Sequence, residues 1–193
     1  MLIKKHQHFK MNFNKPLFTI ITPTLNNKIG LIKTINSIKT QKLTNFEFIV
    51  VDGGSTDGTI EILNESKIIT KWISENDKGI YDAINKGINF SNGKYINTIN
   101  SGDTYFSENS LSIIKDYFDK NDVSFVFGAV NKKKIHYKYK PEKINWSFNF
   151  YPAHSGGFFI KKEIHDKIGL YSLRYPCSSD YDFFWRLIKK NKF

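Results

Sequence analysis

Phe46-Glu47-Phe48-Ile49-Val50-Val51-Asp52-Gly53-Gly54-Ser55-Thr56-Asp57-Gly58-Thr59 is the stretch that decides the fold. Its first six residues are mostly aromatic and β-branched, the composition of a buried strand. Asp52-Gly53-Gly54-Ser55 stops that strand in a turn, and Thr56 or Asp57 then caps a helix over 59–64. A strand, a polar turn and a helix form the repeating unit of a parallel sheet, because each parallel neighbour requires a crossover.

The same unit recurs on both sides. Upstream, Leu17-Phe18-Thr19-Ile20-Ile21-Thr22 reads as a strand closed by Pro23, and Ile29, Ile32, Ile35 and Ile38 at three-residue spacing predict the helix after it. Downstream, Lys71-Trp72-Ile73-Ser74 predicts a short strand, 81–89 a helix, Tyr95-Ile96-Asn97-Thr98-Ile99-Asn100 a strand, 111–118 a helix and 123–130 a fifth strand. This alternation predicts an α/β fold, Rossmann-like, with a mostly parallel central sheet and helices on both faces. Ligands in such sheets bind beyond the carboxyl ends of the strands. The informative loops are therefore 22–27, 52–57, 75–79 and 100–103. After Val130 the text turns Lys- and aromatic-rich (Tyr137, Tyr139, Trp146, Phe148, Phe150, Tyr151), which predicts hairpins or a loop over the site. Gly156-Gly157-Phe158-Phe159-Ile160 predicts another strand and 181–190 a final helix. Residues 1–15 lack a period and read as a loose basic leader. The chain stops within a few residues of the last predicted helix, which predicts truncation at the C-terminus.

Composition narrows the function. A length of 193 residues predicts one domain, and 40% hydrophobic residues with only 12 Gly and 5 Pro exclude a disordered or collagen-like chain. The sequence has no run of 18 apolar residues, and residues 1–15 lack the apolar stretch of a signal peptide, so a cytoplasmic location is expected. A single cysteine, Cys177, excludes an internal disulfide and a Cys-based zinc site. The net charge of +11 invites polyanions. Specific base reading leans on arginine's bidentate fork, however, and only Arg174 and Arg186 are arginines. That argues against specific nucleic acid. Lys4-Lys5, Lys132-Lys133-Lys134 and Lys161-Lys162 suit peripheral contact with an anionic membrane, or simply a solvated face.

Two turns carry candidate chemistry. Asp52 at a strand tip can accept hydrogen bonds from a nucleobase imide or a ribose hydroxyl, and the glycines beside it permit close approach; the structural alternative is a capped turn. No Gly-Lys-Ser/Thr follows, which excludes a P-loop, and the spacing is not GxGxxG. Asn100-Ser101-Gly102-Asp103 projects a carboxylate from a tight turn, as a divalent cation bridging two phosphates requires.

Taken together, Pro23-Thr24-Leu25-Asn26, the 50–59 segment, Asp77-Lys78-Gly79-Ile80-Tyr81-Asp82-Ala83-Ile84-Asn85-Lys86-Gly87-Ile88 and Asn100-Ser101-Gly102-Asp103 resemble the family-two inverting glycosyltransferases of the GT-A fold, especially bacterial polysaccharide enzymes of the colanic-acid type. The resemblance covers about 17–193. It implies a GT-A domain over 16–193, with a nucleotide-binding half near 16–104 and an acceptor half near 105–193. It also implies transfer of a sugar from a nucleotide-sugar donor, most simply a UDP-sugar, to a glycan or lipid-linked acceptor with Mn²⁺ or Mg²⁺. By position, Thr22, Pro23, Thr24 and Asn26 border the nucleotide pocket and Asp52 meets the base or ribose. Ser101-Gly102-Asp103 stands where the family has Asp-X-Asp, so Ser101 and Gly102 belong to the donor side and Asp103 is the metal ligand. Many members have an arginine before the asparagine that matches Asn85, where this chain has Ile84; Lys78 either supplies that missing cation or is a plain solvent-facing lysine.

Inverting transfer also needs a base on the acceptor side. Ser179-Asp180-Tyr181-Asp182-Phe183-Phe184-Trp185-Arg186-Leu187 matches the family segment that ends in Arg-Leu, with Ser179 in place of a Glu. The resemblance makes Asp180 the base ahead of Asp182, whose plainer reading is a helix first-turn charge. His154 and Arg186 are implied near the phosphates or acceptor, or as anchors. Two rivals remain. A nucleotidyltransferase would need a Gly-rich, basic first loop that 22–27 lacks. A basic binding module for membrane or nucleic acid leaves Asp52, Asp103 and Asp180 without a purpose.

Overall fold

A computed structural model of the chain describes residues 2–5, 15–132, 134–136 and 155–191. Its centre is the parallel set β2 (Phe18–Thr24), β3 (Phe46–Asp52), β4 (Lys71–Ser74) and β5 (Tyr95–Thr98). The order across the sheet is β1-β4-β3-β2-β5-β9-β6, where β1 is Leu2–Lys5, β6 is Phe125–Phe127 and β9 is Phe158–Lys161. β1 runs antiparallel to β4, and β9 runs antiparallel to both β5 and β6. Five of the seven strands therefore point one way.

Period-two alternation sorts side chains to the two faces. Phe18, Ile20, Phe48, Val50 and Phe159 share one core with Leu31, Leu63 and Leu111, which come from α1 (Lys28–Lys39), α2 (Thr59–Glu65) and α4 (Ser110–Lys120). Ile21, Ile96, Phe158 and Ile160 share the opposite core with Ile84, Ile164 and Phe183, from α3 (Ile80–Asn89), α5 (Lys162–Ile168) and α6 (Ser179–Asn191). Both faces are covered. α3 lies so close to β2 that a Cβ on Gly87 would meet Ile21 Cγ2 at 2.4 Å.

Several expectations change. Leu2–Lys5, read as part of a loose leader, is an edge strand paired with Lys71–Ser74. In α1 the buried stripe is Leu31, Thr34, Ile35 and Ile38, whereas Ile29 is 84% exposed. A three-residue step drifts around a helix of about 100° per residue, so Ile29 and Ile38 stand roughly 180° apart. The strand expected over 123–130 is only Phe125–Phe127; beyond Gly128, β7 (Val130–Lys132) pairs with β8 (Lys134–His136) in a hairpin. Gly128 instead meets Gly157, whose carbonyl accepts its N–H at 2.7 Å. α5 was not expected, since seven residues give the helical period little room to register.

Candidate active site

Parallel β2, β3, β4 and β5 all end at one edge, and four loops meet there. The 24–27 and 53–58 loops are tied to each other. Asn26, at φ 46, donates its N–H to Ser55 Oγ at 2.7 Å and accepts the Thr56 N–H on its side-chain oxygen at 2.8 Å. Asp57 accepts the Thr59 hydroxyl at 2.6 Å and the Lys28 N–H at 2.8 Å. Those donors hold its carboxyl below the usual carboxylate range. Asp57 thereby joins the starts of α1 and α2.

Asp52 is fully buried. Its Oδ2 accepts the N–H groups of Gly54 at 3.1 Å and Ser55 at 2.9 Å and the Ser74 hydroxyl at 2.7 Å, while Oδ1 accepts the Ser55 hydroxyl. Its carboxylate organises the loop from within. Thr22 and Thr24 are buried on β2, and their hydroxyls lack hydrogen-bond partners among the described residues. Pro23 lies between them and accepts the Ser101 N–H at 3.4 Å.

The 100–103 turn hangs on α1. Thr34 donates its hydroxyl to the Asp103 carbonyl at 2.8 Å and accepts the Gly102 N–H at 2.9 Å; Gly102 needs its φ of 104 to make the turn. Asn27 clamps the same turn, donating to the Ser101 carbonyl at 3.0 Å and receiving the Ser101 hydroxyl on its own carbonyl at 3.2 Å. The Asp103 side chain is partly exposed, and Asn100 Oδ1 is buried without a partner among the described residues. No cluster of three His, Cys, Asp or Glu occurs among those residues. One carboxylate and one unpaired amide oxygen in a single turn fit a hard cation that completes its sphere with water and phosphate oxygens.

The fourth loop, 75–79, leads into α3. Lys86 pins it through Glu75 at 2.9 Å, Asp82 at 3.3 Å and the Asn76 carbonyl at 3.4 Å. The Lys78 side chain is exposed, and its N–H donates to Asp82 at 3.0 Å.

α6 reaches this edge through α3. The Tyr81 hydroxyl, in the first turn of α3, hydrogen-bonds the Asp180 carboxylate. Burial and that carboxylate keep the Tyr81 hydroxyl protonated, far above the ordinary phenol value. Asp182 is engaged differently: it accepts Arg186 Nε at 2.8 Å, while the two remaining Arg186 nitrogens donate to the carbonyls of Ile168 and Leu170, each at 2.7 Å. Arg186 anchors the segment after α5. Asn85 ties the same segment to α3, exchanging hydrogen bonds with the Tyr171 backbone at 2.8 and 3.0 Å. The Tyr171 ring lies between Tyr81 and Phe183, with centroids 5.5 and 5.0 Å away. His154 and the aromatic segment 137–151 lie outside the described residues.

Sequence reasoning passed over Thr34, Asn27, Ser74 and Tyr81. Thr34 left a trace, being polar at a stripe position of an Ile-rich helix. Tyr81 left none. Tyr81→Phe keeps the ring but deletes the hydrogen bond to Asp180, and a bond to a charged group contributes about 1.5–3 kcal/mol. We expect kcat to fall by about tenfold or more with unchanged donor affinity, read from steady-state kinetics; a raised KM for donor with intact kcat would refute the positioning role.

The profile of glycosyl transferase family 2 matches residues 19–176, most of the chain. The chain belongs to glycosyl transferase family 2. A PGL/p-HBAD biosynthesis glycosyltransferase of Mycobacterium bovis is 29% identical over 180 residues, covering 87% of this chain and 68% of the relative. Among solved structures, S. aureus TarS 1-349 superposes with a TM-score of 0.70 at 20% identity, covering 88% of this chain and 54% of TarS 1-349. TarS 1-349 has also been solved in complex with UDP, and the chain spans about half its length. The mannosyltransferase PcManGT of Pyrobaculum calidifontis, in complex with GDP-Man and Mn²⁺, gives 0.65 at 18% identity over 83% of this chain and 48% of its own. The fold of this family 2 glycosyltransferase is thus that of GT-A enzymes, and the chain is an enzyme of that class.

Proposed function

We propose that the chain transfers a sugar, with inversion, from a nucleotide-sugar donor to a hydroxyl of a glycan or lipid-linked acceptor in surface polysaccharide synthesis. The observation that carries this is the Tyr81–Asp180 hydrogen bond, which brings an α6 carboxylate to the edge where β2, β3, β4 and β5 end. Asp180 takes the proton of the acceptor hydroxyl as its oxygen bonds to the anomeric carbon and the bond from that carbon to the diphosphate breaks. Asp182, neutralised by Arg186, holds the helix and its anchor. Thr22, Pro23, Thr24 and Asn26 line the donor side. Asp52 acts from beneath by shaping the 53–55 loop, a role its buried, surrounded carboxylate favours over direct contact with base or ribose.

Asp103, with Asn100 in the same turn, would hold Mn²⁺ or Mg²⁺. When bound, the cation neutralises charge on the departing diphosphate. Ser101 and Gly102 belong to the donor side by shaping that turn, their N–H groups held by the Pro23 carbonyl and the Thr34 hydroxyl, and Lys78 adds an exposed cation at the rim. No helix among the described residues is long and apolar enough to cross a membrane. The net charge of +11 supports work at the cytoplasmic face of an anionic membrane.

A thermal-shift experiment with UDP, with and without Mn²⁺, tests the donor half. A ligand that binds the folded state raises stability by mass action. We expect Mn²⁺ to enlarge the shift given by UDP, and Asp103→Ala to abolish that increment without lowering the unfolding midpoint of the free protein. Equal increments in both proteins would remove Asp103 as the metal ligand.

A further inference from the structure

We propose that the outer face of α1, together with Phe106, is the surface by which the protein seats itself on an anionic lipid bilayer. This names the surface for the membrane contact proposed above and rests on that reading.

Ile29, Ile32, Lys33 and Asn36 fall within about 100° of arc on α1, opposite the buried stripe of Leu31, Thr34, Ile35 and Ile38. Ile29 is 84% exposed, and Ile32 is exposed beside it. A second segment adds to this face. Thr34 holds the Asp103 carbonyl and Ser37 accepts the Tyr105 N–H at 2.8 Å, so 103–105 runs along the helix. The Tyr105 hydroxyl turns inward to donate to Asn97 at 2.7 Å, while Phe106, next in the chain, is left 90% exposed. Three large apolar side chains thus stand in water along α1.

Charge says what covers them. α1 carries Lys28, Lys33 and Lys39 and no Asp or Glu. Its neighbours on the same side of the sheet differ: α2 has Glu61 and Glu65, and α4 has Asp116 and Asp119. The nearby Glu108 is held by Lys42 at 2.6 Å. Apolar residues at the centre of an outward face with lysines at its margins suit a membrane interface. The apolar groups sink below the headgroups, and the ammonium groups stay at the anionic phosphates. A second copy of the chain fits poorly, because a two-fold contact would bring two sets of lysines together with no acid on either helix. Nucleic acid would engage the lysines and leave Ile29, Ile32 and Phe106 in water. The rival face is α6, where Tyr181 and Trp185 are exposed, but its first turn holds Asp180 and Asp182, which anionic headgroups repel.

The placement has a use. α1 begins at the sheet edge that carries the candidate site, and its Thr34 and its cap Asn27 hold the 100–103 turn. A bilayer seated on α1 therefore keeps that turn within reach of an acceptor hydroxyl presented just above the headgroups.

Co-sedimentation of the full chain with vesicles of phosphatidylcholine containing about one third phosphatidylglycerol, beside pure phosphatidylcholine, tests this. Wild type should bind the anionic vesicles and stay in solution with the neutral ones. The combined Ile29→Ser, Ile32→Ser and Phe106→Ser variant should lose about 30-fold or more in partition coefficient. Lys33→Gln with Lys39→Gln should lose about 10- to 30-fold at low salt, and Trp185→Ser should bind as wild type does. Unfolding midpoints and the thermal shift given by UDP verify that each variant keeps its fold and donor edge; if the triple variant is not folded, Phe106→Ser and the lysine pair decide. A folded triple variant that binds like wild type would mean adhesion by net charge alone and overturns the assignment. Loss of binding in Trp185→Ser with the α1 variants unaffected also overturns it, in favour of α6. So does a concentration-dependent dimer that the triple variant abolishes while vesicle binding persists. A wild type that ignores anionic vesicles sinks the membrane reading itself, a result distinct from vesicle binding that is indifferent to α1.

Discussion

Asp180→Asn is expected to slow sugar transfer by about 100-fold or more while UDP and Mn²⁺ bind as in wild type. A positioned general base contributes typically about 10² to 10⁴ in rate, and asparagine keeps the shape while losing the capacity to take the acceptor's proton. Asp182→Asn should retain most activity. Its partner Arg186 stays held by the carbonyls of Ile168 and Leu170, so loss of one charge weakens the anchor without dismantling it. Initial rates with a soluble acceptor, set beside UDP affinities from titration, separate the outcomes. The reverse ranking would move the base to Asp182 and leave the donor edge untouched. If neither variant changes the rate, direct displacement assisted from α6 has to be abandoned.

The fold was legible where one residue pattern decides one element. β2 and β3 announce themselves because strands buried on both faces are nearly continuous apolar runs, although β2 is not closed by Pro23 but runs through it to Thr24, with Pro23 opposite Val51. Period fails where tertiary contact rules. Ile29 and Ile32 belong to the apolar text of α1 but not to its buried face, since the turn at 100–103 recruits Thr34 to the stripe instead. Strand β1 was illegible for a related reason: an edge strand with one neighbour needs little apolar content, and its partner, Lys71–Ser74, lies some seventy positions away in sequence.

The site was legible as loops and partly illegible as roles. Asp52 and Asp103 sit at strand ends, which sequence can locate, but whether such a carboxylate faces outward depends on donors brought from elsewhere. Ser74 comes from β4 to Asp52, and Thr34 and Asn27 come from α1 and its cap to the 100–103 turn. Asp77 and Asp52 look equivalent in the text. Burial separates them only in three dimensions, Asp52 being fully buried and Asp77 partly exposed, whereas Asp180 and Asp182 differ in partner, Tyr81 for one and Arg186 for the other.

His165 packs on Phe183 of the helix that carries Asp180, and its burial makes that packing sensitive to acid. Its ring is buried, stacks on Phe183 at 4.7 Å and has an unpartnered Nδ1 among the described residues. Burial, opposed by a backbone hydrogen bond at Gly169, pushes its pKa down to about 4 from 6.5. Above pH 6.5 both folded and unfolded chains carry the neutral ring and nothing is lost. Between about 6.5 and 4 the unfolded chain takes up a proton that the folded chain refuses, so stability falls as pH falls, by about 1.4 kcal/mol per pH unit and roughly 3 kcal/mol in all. Between pH 7.5 and 5 the expected loss from this residue is about 2 kcal/mol. His165→Phe keeps a flat ring in the stack and cannot be protonated. Urea unfolding of both proteins at the two pH values should therefore show wild type losing about 2 kcal/mol more than the variant, with carboxylate effects common to both cancelling. Parallel losses would mean that the ring finds a proton partner in the folded chain. Because Phe183 follows Asp180 by less than one helical turn, the same loss should loosen the start of α6, and the variant should keep more of its pH 7.5 transfer rate at pH 5 than wild type does.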